Sequence, residues 1–241
     1  MERKIEITPF ALTVAPLIMY RDNCKLGTAT GFFYSHNDKI FLITNKHVVI
    51  DKEKEFYPNK IRFQVHINPN DPSKNIYKEL TLYDENNRQK WLEHQNNKID
   101  IAAIEMEKSN LKNCLIQAFN KEKFSPSDLI LEIGEDLLVL GYPLGFYDTL
   151  HNLPITRNAT IASNYLVPFK GEPYFLVDAN LHPGTSGSPV ITKPSNIIRS
   201  REGTILRGGW VSHLVGINSG SYDPLGLNIV WYAELIEEII K

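Results

Sequence analysis

Three observations predict an all-β protein. Short runs rich in β-branched and aromatic residues recur along the chain, Gly, Pro, Asn and Asp clusters separate them, and no run alternates with a long helical pattern. Many short strands in 241 residues point to an antiparallel barrel or sandwich, not a parallel α/β sheet.

The elements follow in order. Pro9 to Tyr20, PFALTVAPLIMY, is the longest apolar stretch. It falls well short of the roughly 20 residues a membrane span needs. It follows the charged start Met1-Glu2-Arg3-Lys4, but Pro9 and Pro16 interrupt it and no small-residue cleavage site follows, so it reads as an opening strand with its lead-in. Strands are then expected over 30–34, 40–44, 61–67, 99–106, 137–140, 175–177, 189–192 and 214–217. The polar stretch from Asp51 to Asn97 reads as solvated loops around two or three strands. Tyr232 to Lys241, YAELIEEIIK, places Leu235, Ile236, Ile239 and Ile240 at helical spacing and predicts a short amphipathic helix packed on the body.

Composition narrows the function classes. Hydrophobic residues make up 42% and charged residues 22%, ordinary globular usage. Lys+Arg of 26 against Asp+Glu of 28 leaves a net charge of −2, without the basic excess of a dedicated nucleic-acid binder. The two cysteines, Cys24 and Cys114, form no CxxC pair and no disulfide framework, and read as free thiols in a reducing compartment. No His/Asp/Glu cluster shows metal-ligand spacing, so neither a metal nor another cofactor is expected. Nucleic acid and membrane are not expected partners.

The chemistry centres on Ser186, in His182-Pro183-Gly184-Thr185-Ser186-Gly187-Ser188-Pro189. Small residues around a serine let a substrate carbonyl approach its Oγ, and flanking N–H groups, those of Gly184 and Ser186, can then converge on a developing oxyanion. A Gly/Ser-rich turn explains the same string. A serine needs a base to take its proton. Among seven histidines, His47 stands at the end of the apolar run Phe41-Leu42-Ile43, whereas His36, His66, His94 and His151 sit in polar or looser contexts and read as surface residues. Taken alone, a histidine in this setting is more often a core residue with satisfied hydrogen bonds than a catalyst. The base in turn needs an orienting carboxylate. Asp100, in Ile99-Asp100-Ile101-Ala102, is an acid embedded in an apolar strand, where an unpartnered charge is costly.

Thr44-Asn45-Lys46-His47-Val48, Asp100-Ile101-Ala102 and Gly184-Thr185-Ser186-Gly187-Ser188-Pro189 resemble, in that order, the three signatures of trypsin-like, chymotrypsin-fold serine proteases. The match is nearest the bacterial HtrA-like and glutamyl-endopeptidase-like branches. Asp178 to Gly184, Val215-Gly216-Ile217-Asn218 and Gly141-Tyr142-Pro143, taken as a turn before the second lobe's strands, add to it. The resemblance implies one peptidase domain over 1–241: a six-stranded antiparallel β-barrel over about 10–120, a second over about 130–230, and a C-terminal helix over about 232–241. It implies a cleft between the barrels, Ser186 as nucleophile, His47 as base and acid, Asp100 as its orienter, and the Gly184 and Ser186 amides as oxyanion hole. Ser219 falls where the family often has a serine beside the buried acid, and Ser219, Gly220 and Ser221 would be the edge that pairs with substrate backbone.

The chain also departs from the pattern. Members activated by cleavage pair a new N-terminal amine with an acid just before the nucleophile, and here that residue is Thr185. Asn180 stands at the pocket-floor position, where an acid would select Arg or Lys, and Asn218 stands where glutamyl endopeptidases carry a histidine. A neutral substrate side chain is therefore expected, unless His182 or Asp223 points inward; His182 reads as a rim residue. The sequence predicts a cytoplasmic serine endopeptidase acting on peptides or proteins, with a regulatory protein as a further partner, because an unrestrained protease endangers its own cell. The alternatives are a pseudoprotease or peptide-binding module using the same cleft, a latent protease awaiting a partner, and a non-peptide esterase.

Overall fold

The computed structural model describes residues 7–241, without the side chain of Ile205; the charged start at 1–4 lies outside the described residues. A 3-10 turn, Pro9–Leu12, leads into the first lobe. That lobe comprises β1 (Val14–Arg21), β2 (Cys24–His36), β3 (Lys39–Thr44), the single-turn helix α1 (Lys46–Val49), β4 (Lys60–His66), β5 (Asn75–Thr81), β6 (Trp91–Glu93), β7 (Ala102–Glu105) and a second single turn, α2 (Lys108–Leu111). The second lobe comprises β8 (Asp136–Gly141), β9 (Ile155–Ile161), β10 (Tyr174–Asp178), β11 (Pro189–Thr192), the hairpin β12 (Ser195–Ser200) and β13 (Gly203–Val211), then β14 (Leu214–Tyr222) and β15 (Leu227–Tyr232). Helix α3 (Leu235–Ile239) ends the chain.

The fold is chymotrypsin-like and all-β. The second lobe closes as a six-stranded antiparallel barrel in the order β10-β15-β14-β11-β8-β9. The first lobe corrects the expectation of six strands: it is a seven-stranded sheet, β5-β4-β1-β2-β3-β7-β6. The extra member is short β6, which pairs with β7 through Trp91–Ile104. The two outer strands meet just beyond their ends, where Tyr83 bridges Gln89 and the Lys90 N–H donates to the Leu82 carbonyl at 2.9 Å. Gly141-Tyr142-Pro143 follows the second lobe's first strand, β8, and does not precede it. The β12–β13 hairpin forms a separate two-stranded sheet. Its exposed Ile197, Leu206 and Trp210 explain why no buried-strand signal marked it.

Local chemistry sets the turns. Between β2 and β3 the two-residue loop Asn37-Asp38 has φ of 47° and 61°, the doubly left-handed turn that a right-twisted hairpin favours and that Asn and Asp tolerate. Alternation then divides the core. Phe33 and Leu42 point into the first lobe with Leu17, Ile61 and Phe63, while Phe32, Tyr34, Phe41 and Ile43 point the other way. There they meet Leu140, Ile217, Trp231 and the α3 residues Leu235, Ile236 and Ile239. Both faces of β2 and β3 are thus buried, which is why GFFY and IFLIT are unbroken apolar runs. This shared core holds the lobes against each other and fixes the cleft between them.

Two local expectations change. His66 is buried at 3% exposure, with its Nε2 bonded to the His151 carbonyl at 2.6 Å; it is not a surface residue. The strand expected over 99–106 begins only at Ala102, so Asp100 sits on the irregular segment before β7. The bonds Asp100 makes explain this, because they draw its backbone and carboxylate toward α1.

Candidate active site

His47 is carried by α1, which directly follows β3. The N-cap residue Asn45 is extended, with φ −81° and ψ 153°. The first amides of any helix lack internal partners. Here the His47 N–H donates to Asp100 Oδ1 at 2.9 Å, and the other carboxylate oxygen, Oδ2, takes the ring Nδ1 at 2.6 Å. Asp100 therefore caps the helix and orients the imidazole with one carboxylate. The Asn45 side chain, fully buried, donates to the Asp100 carbonyl at 2.7 Å and locks the acid's backbone. Ser219 Oγ donates to Asp100 Oδ2 at 2.5 Å. The acid thus receives three donors and never stands as an unpartnered charge.

Ser186 lies on the loop between β10 and β11. Three neighbouring amides are used internally: Thr185 N–H to the His182 carbonyl at 3.2 Å, Gly187 N–H to Asn218 at 2.9 Å and Ser188 N–H to Thr185 at 3.0 Å. Among the described residues, the amides of Gly184 and Ser186 have no acceptor within the protein. Gly184 has φ +96°, and a Cβ there would stand 2.6 Å from the Tyr142 carbonyl, so backbone conformation and space both demand glycine.

His47, Asp100 and Ser186 line one cleft of about 710 Å³, with Asn218, Ser219 and Asn228 among its polar members and Lys54, His182 and Asp223 exposed on it. On its other side His47 and Ser186 also border an open pocket of about 220 Å³ whose lining mixes Met19, Ala29, Val48 and Phe56 with Asp51 and Lys54. No direct hydrogen bond joins His47 to Ser186, and such contacts commonly tighten only when substrate binds.

A family model described as a trypsin-like peptidase domain matches residues 29–198. The chain belongs to the trypsin-like peptidase family. No curated protein matches the sequence. Among solved structures, a serine endoprotease from Yersinia pestis is 18% identical with a TM-score of 0.55, covering 95% of this chain and 62% of that one. A serine-to-alanine mutant of Rv3671c from M. tuberculosis H37Rv, in its inactive form, is 16% identical with a TM-score of 0.53, covering 95% of this chain and 85% of that one. At these identities the likeness is one of fold. The chain spans less than two thirds of the Yersinia endoprotease.

The peptidase cleft brings most of the sequence-predicted residues together, but not all. Asn180 is exposed, does not line the cleft, and uses its carbonyl to accept from the Arg157 guanidinium at 2.7 Å. Asn228, on β15, lines it instead, buried at 5%, with its Nδ2 bonded to the Ala179 carbonyl at 2.7 Å. Asn218 is 1% exposed and donates to the Thr185 carbonyl at 3.0 Å, bracing the serine loop. His182 is exposed on the rim, and Asp223, also exposed, accepts from Ser221 Oγ at 3.1 Å. Sequence reasoning passed over Asn45, Asn228 and Thr30. For Thr30 a signal existed, a hydroxyl inside the apolar stretch Ala29 to Tyr34.

Proposed function

We propose that the protein is a serine endopeptidase that cleaves peptide bonds through an acyl-enzyme. The observation that carries this reading is the double grip of Asp100 on His47, with Ser186 in the same cleft. Asp100 holds the Nδ1–H tautomer, leaving Nε2 free to take the Ser186 proton as Oγ attacks the carbonyl carbon. The oxyanion forms beside the open amides of Gly184 and Ser186. His47 then gives its proton to the departing amine as the C–N bond breaks. A water, deprotonated by His47, attacks the ester carbonyl, releases the carboxylate product and restores Ser186.

Substrate backbone is proposed to pair with β14 at Ser219 to Ser221. On the β11 side its backbone bonds end at Asn218, which pairs with Gly187 and Ser188, so from Ser219 to Ser221 this strand has β15 on one side only. The buried polar residues of the cleft, Thr185, Asn218 and Asn228, carry no charge, and Lys54, His182 and Asp223 are exposed, which favours a neutral side chain before the scissile bond. Thr185 in place of an acid supports activity without insertion of a new N-terminus. The whole chain is read as one peptidase domain acting on peptides or proteins. The two free thiols support a cytoplasmic setting, and among the described residues no helix is long and apolar enough to cross a membrane.

Intact-mass analysis after fluorophosphonate treatment tests the proposal. One adduct on the wild type and none on Ser186→Ala is expected. No adduct on either protein would remove the free-standing protease reading.

A further inference from the structure

We infer that Thr30, in the first lobe, is the positioning residue that sets the oxyanion loop of the second. The inference rests on the serine-peptidase reading and deepens it. Thr30 is fully buried on β2, and every polar atom it has is used. Its N–H donates to the Ser186 carbonyl at 2.9 Å. Its hydroxyl donates to the Gly184 carbonyl at 2.8 Å and accepts from the Tyr142 N–H at 3.0 Å. Its own carbonyl accepts from Thr44 Oγ1 at 2.9 Å, anchoring it to β3 just ahead of His47. One residue thus ties together the strand leading to His47, the loop carrying Ser186 and the turn after β8, and its side chain alone joins the last two.

Peptide planarity turns these bonds into a statement about the open amides. In a trans peptide the carbonyl and the following N–H point in opposite directions. The Pro183 carbonyl is held by the Leu144 N–H at 2.6 Å, which aims the Gly184 N–H the other way. The Thr185 carbonyl is held by the Ser188 N–H and by Asn218 Nδ2, both at 3.0 Å, which likewise sets the Ser186 N–H. The peptide between these two is fixed by the Thr30 hydroxyl on the Gly184 carbonyl. Thr30 also reaches the clamp itself, because Tyr142, whose N–H it binds, opens the turn that presents Leu144. The loop needs no charged residue at position 185, because packing of the two lobes delivers the hydroxyl that holds it.

Only a hydroxyl can donate to one backbone group and accept from another at this site. Thr30→Val keeps the shape and strands both the Gly184 carbonyl and the Tyr142 N–H. With the amides of the hole free to drift, kcat on a peptide substrate is expected to fall about 10–100-fold, with KM near that of the wild type, the pattern of an interaction realised only in the transition state. Thr30→Ser should restore kcat. A merely structural role would lower the fraction of folded enzyme without slowing the molecules that remain, so active sites are titrated with fluorophosphonate. If Thr30→Val does not fold, Thr30→Cys, the thiol counterpart of Thr30→Ser and a poor donor, carries the same expectation. A wild-type kcat per titrated site in the hydroxyl-free variant that folds would overturn the inference and leave the protease reading intact. A wild type that Ser186→Ala does not distinguish would overturn both.

Discussion

Asp100 holds His47 at two points at once, the ring Nδ1 at 2.6 Å and the backbone N–H at 2.9 Å. The second contact makes the pair rigid. The backbone N–H fixes the carboxylate through Oδ1, so that Oδ2 stays in place to receive the ring. Asp100→Asn keeps the shape but puts an amide N–H where the ring must donate, which favours the wrong imidazole tautomer. Turnover is expected to fall about 10⁴-fold with the fold retained, read as kcat against the circular-dichroism melting curve. Turnover within tenfold of wild type would contradict the orienting role.

Ser219 gives Asp100 its third donor, at 2.5 Å on Oδ2, the oxygen that also faces His47. Both Ser219 and Asp100 retain contact with the cleft, so water can replace the lost hydroxyl. Ser219→Ala should therefore cost about 1 kcal/mol of stability, below the usual range for a bond to a charged group. Its kcat should fall less than tenfold, a far smaller effect than that of Asp100→Asn. Equal losses for the two variants would mean that Ser219, and not His47, is the important partner of the acid.

Two glycines on the serine loop separate hole geometry from folding. Gly184→Ala forces a Cβ to within 2.6 Å of the Tyr142 carbonyl at φ +96°, and the loop must shift at the amide that the proposed hole uses. Gly187→Ala forces one to within 2.3 Å of the Thr30 carbonyl at φ +83°, against the first lobe. Each carries about 1–3 kcal/mol of backbone strain, to which the collision adds. Urea unfolding should show both destabilised. In activity per titrated site, Gly184→Ala should lose about 100-fold or more, the scale of a lost oxyanion donor. A Gly184→Ala enzyme as active per site as wild type would place the hole elsewhere.

The legible parts of this protein are those whose residues answer to a single constraint. Strands β2, β3, β8 and β11 are buried on both faces or in a barrel, so their apolar runs stand out. β5 alternates only weakly and the β12–β13 hairpin lies exposed, so neither carries a burial signal. That His47, Asp100 and Ser186 share one cleft was foreseeable because each lies in a distinctive local sequence. Asn180 was placed on the pocket floor by counting back from Ser186, and the chain turns its side away from the cleft there. Asn228 reaches that cleft from another strand. Thr30 acts on Gly184 from 154 residues away, and no local pattern encodes a hydrogen bond between lobes.

The last prediction concerns acid. His66 and His213 are buried, at 3% and 8% exposure, and neither belongs to the cleft. Burial pushes the pKa of His66 down, against the opposing hydrogen bond to the His151 carbonyl. Burial also pushes His213 down, helped by the charges of Lys123 and Arg207 and opposed by its bond to the Phe124 carbonyl. In the unfolded chain both return to about 6.5. Just below that pH the unfolded state binds more protons than the native one, so stability rises with pH there. The contribution of these two residues is complete above about pH 7 and is lost as pH falls from about 6.5 toward their native values. Calorimetry should show Tm dropping between pH 7 and pH 5, before the exposed carboxylates titrate. His66→Gln, whose amide can still donate to the His151 carbonyl, should flatten part of that drop while leaving Tm at pH 8 nearly unchanged. A wild-type Tm that is constant from pH 8 to pH 5 would mean that neither imidazole is held neutral by the fold.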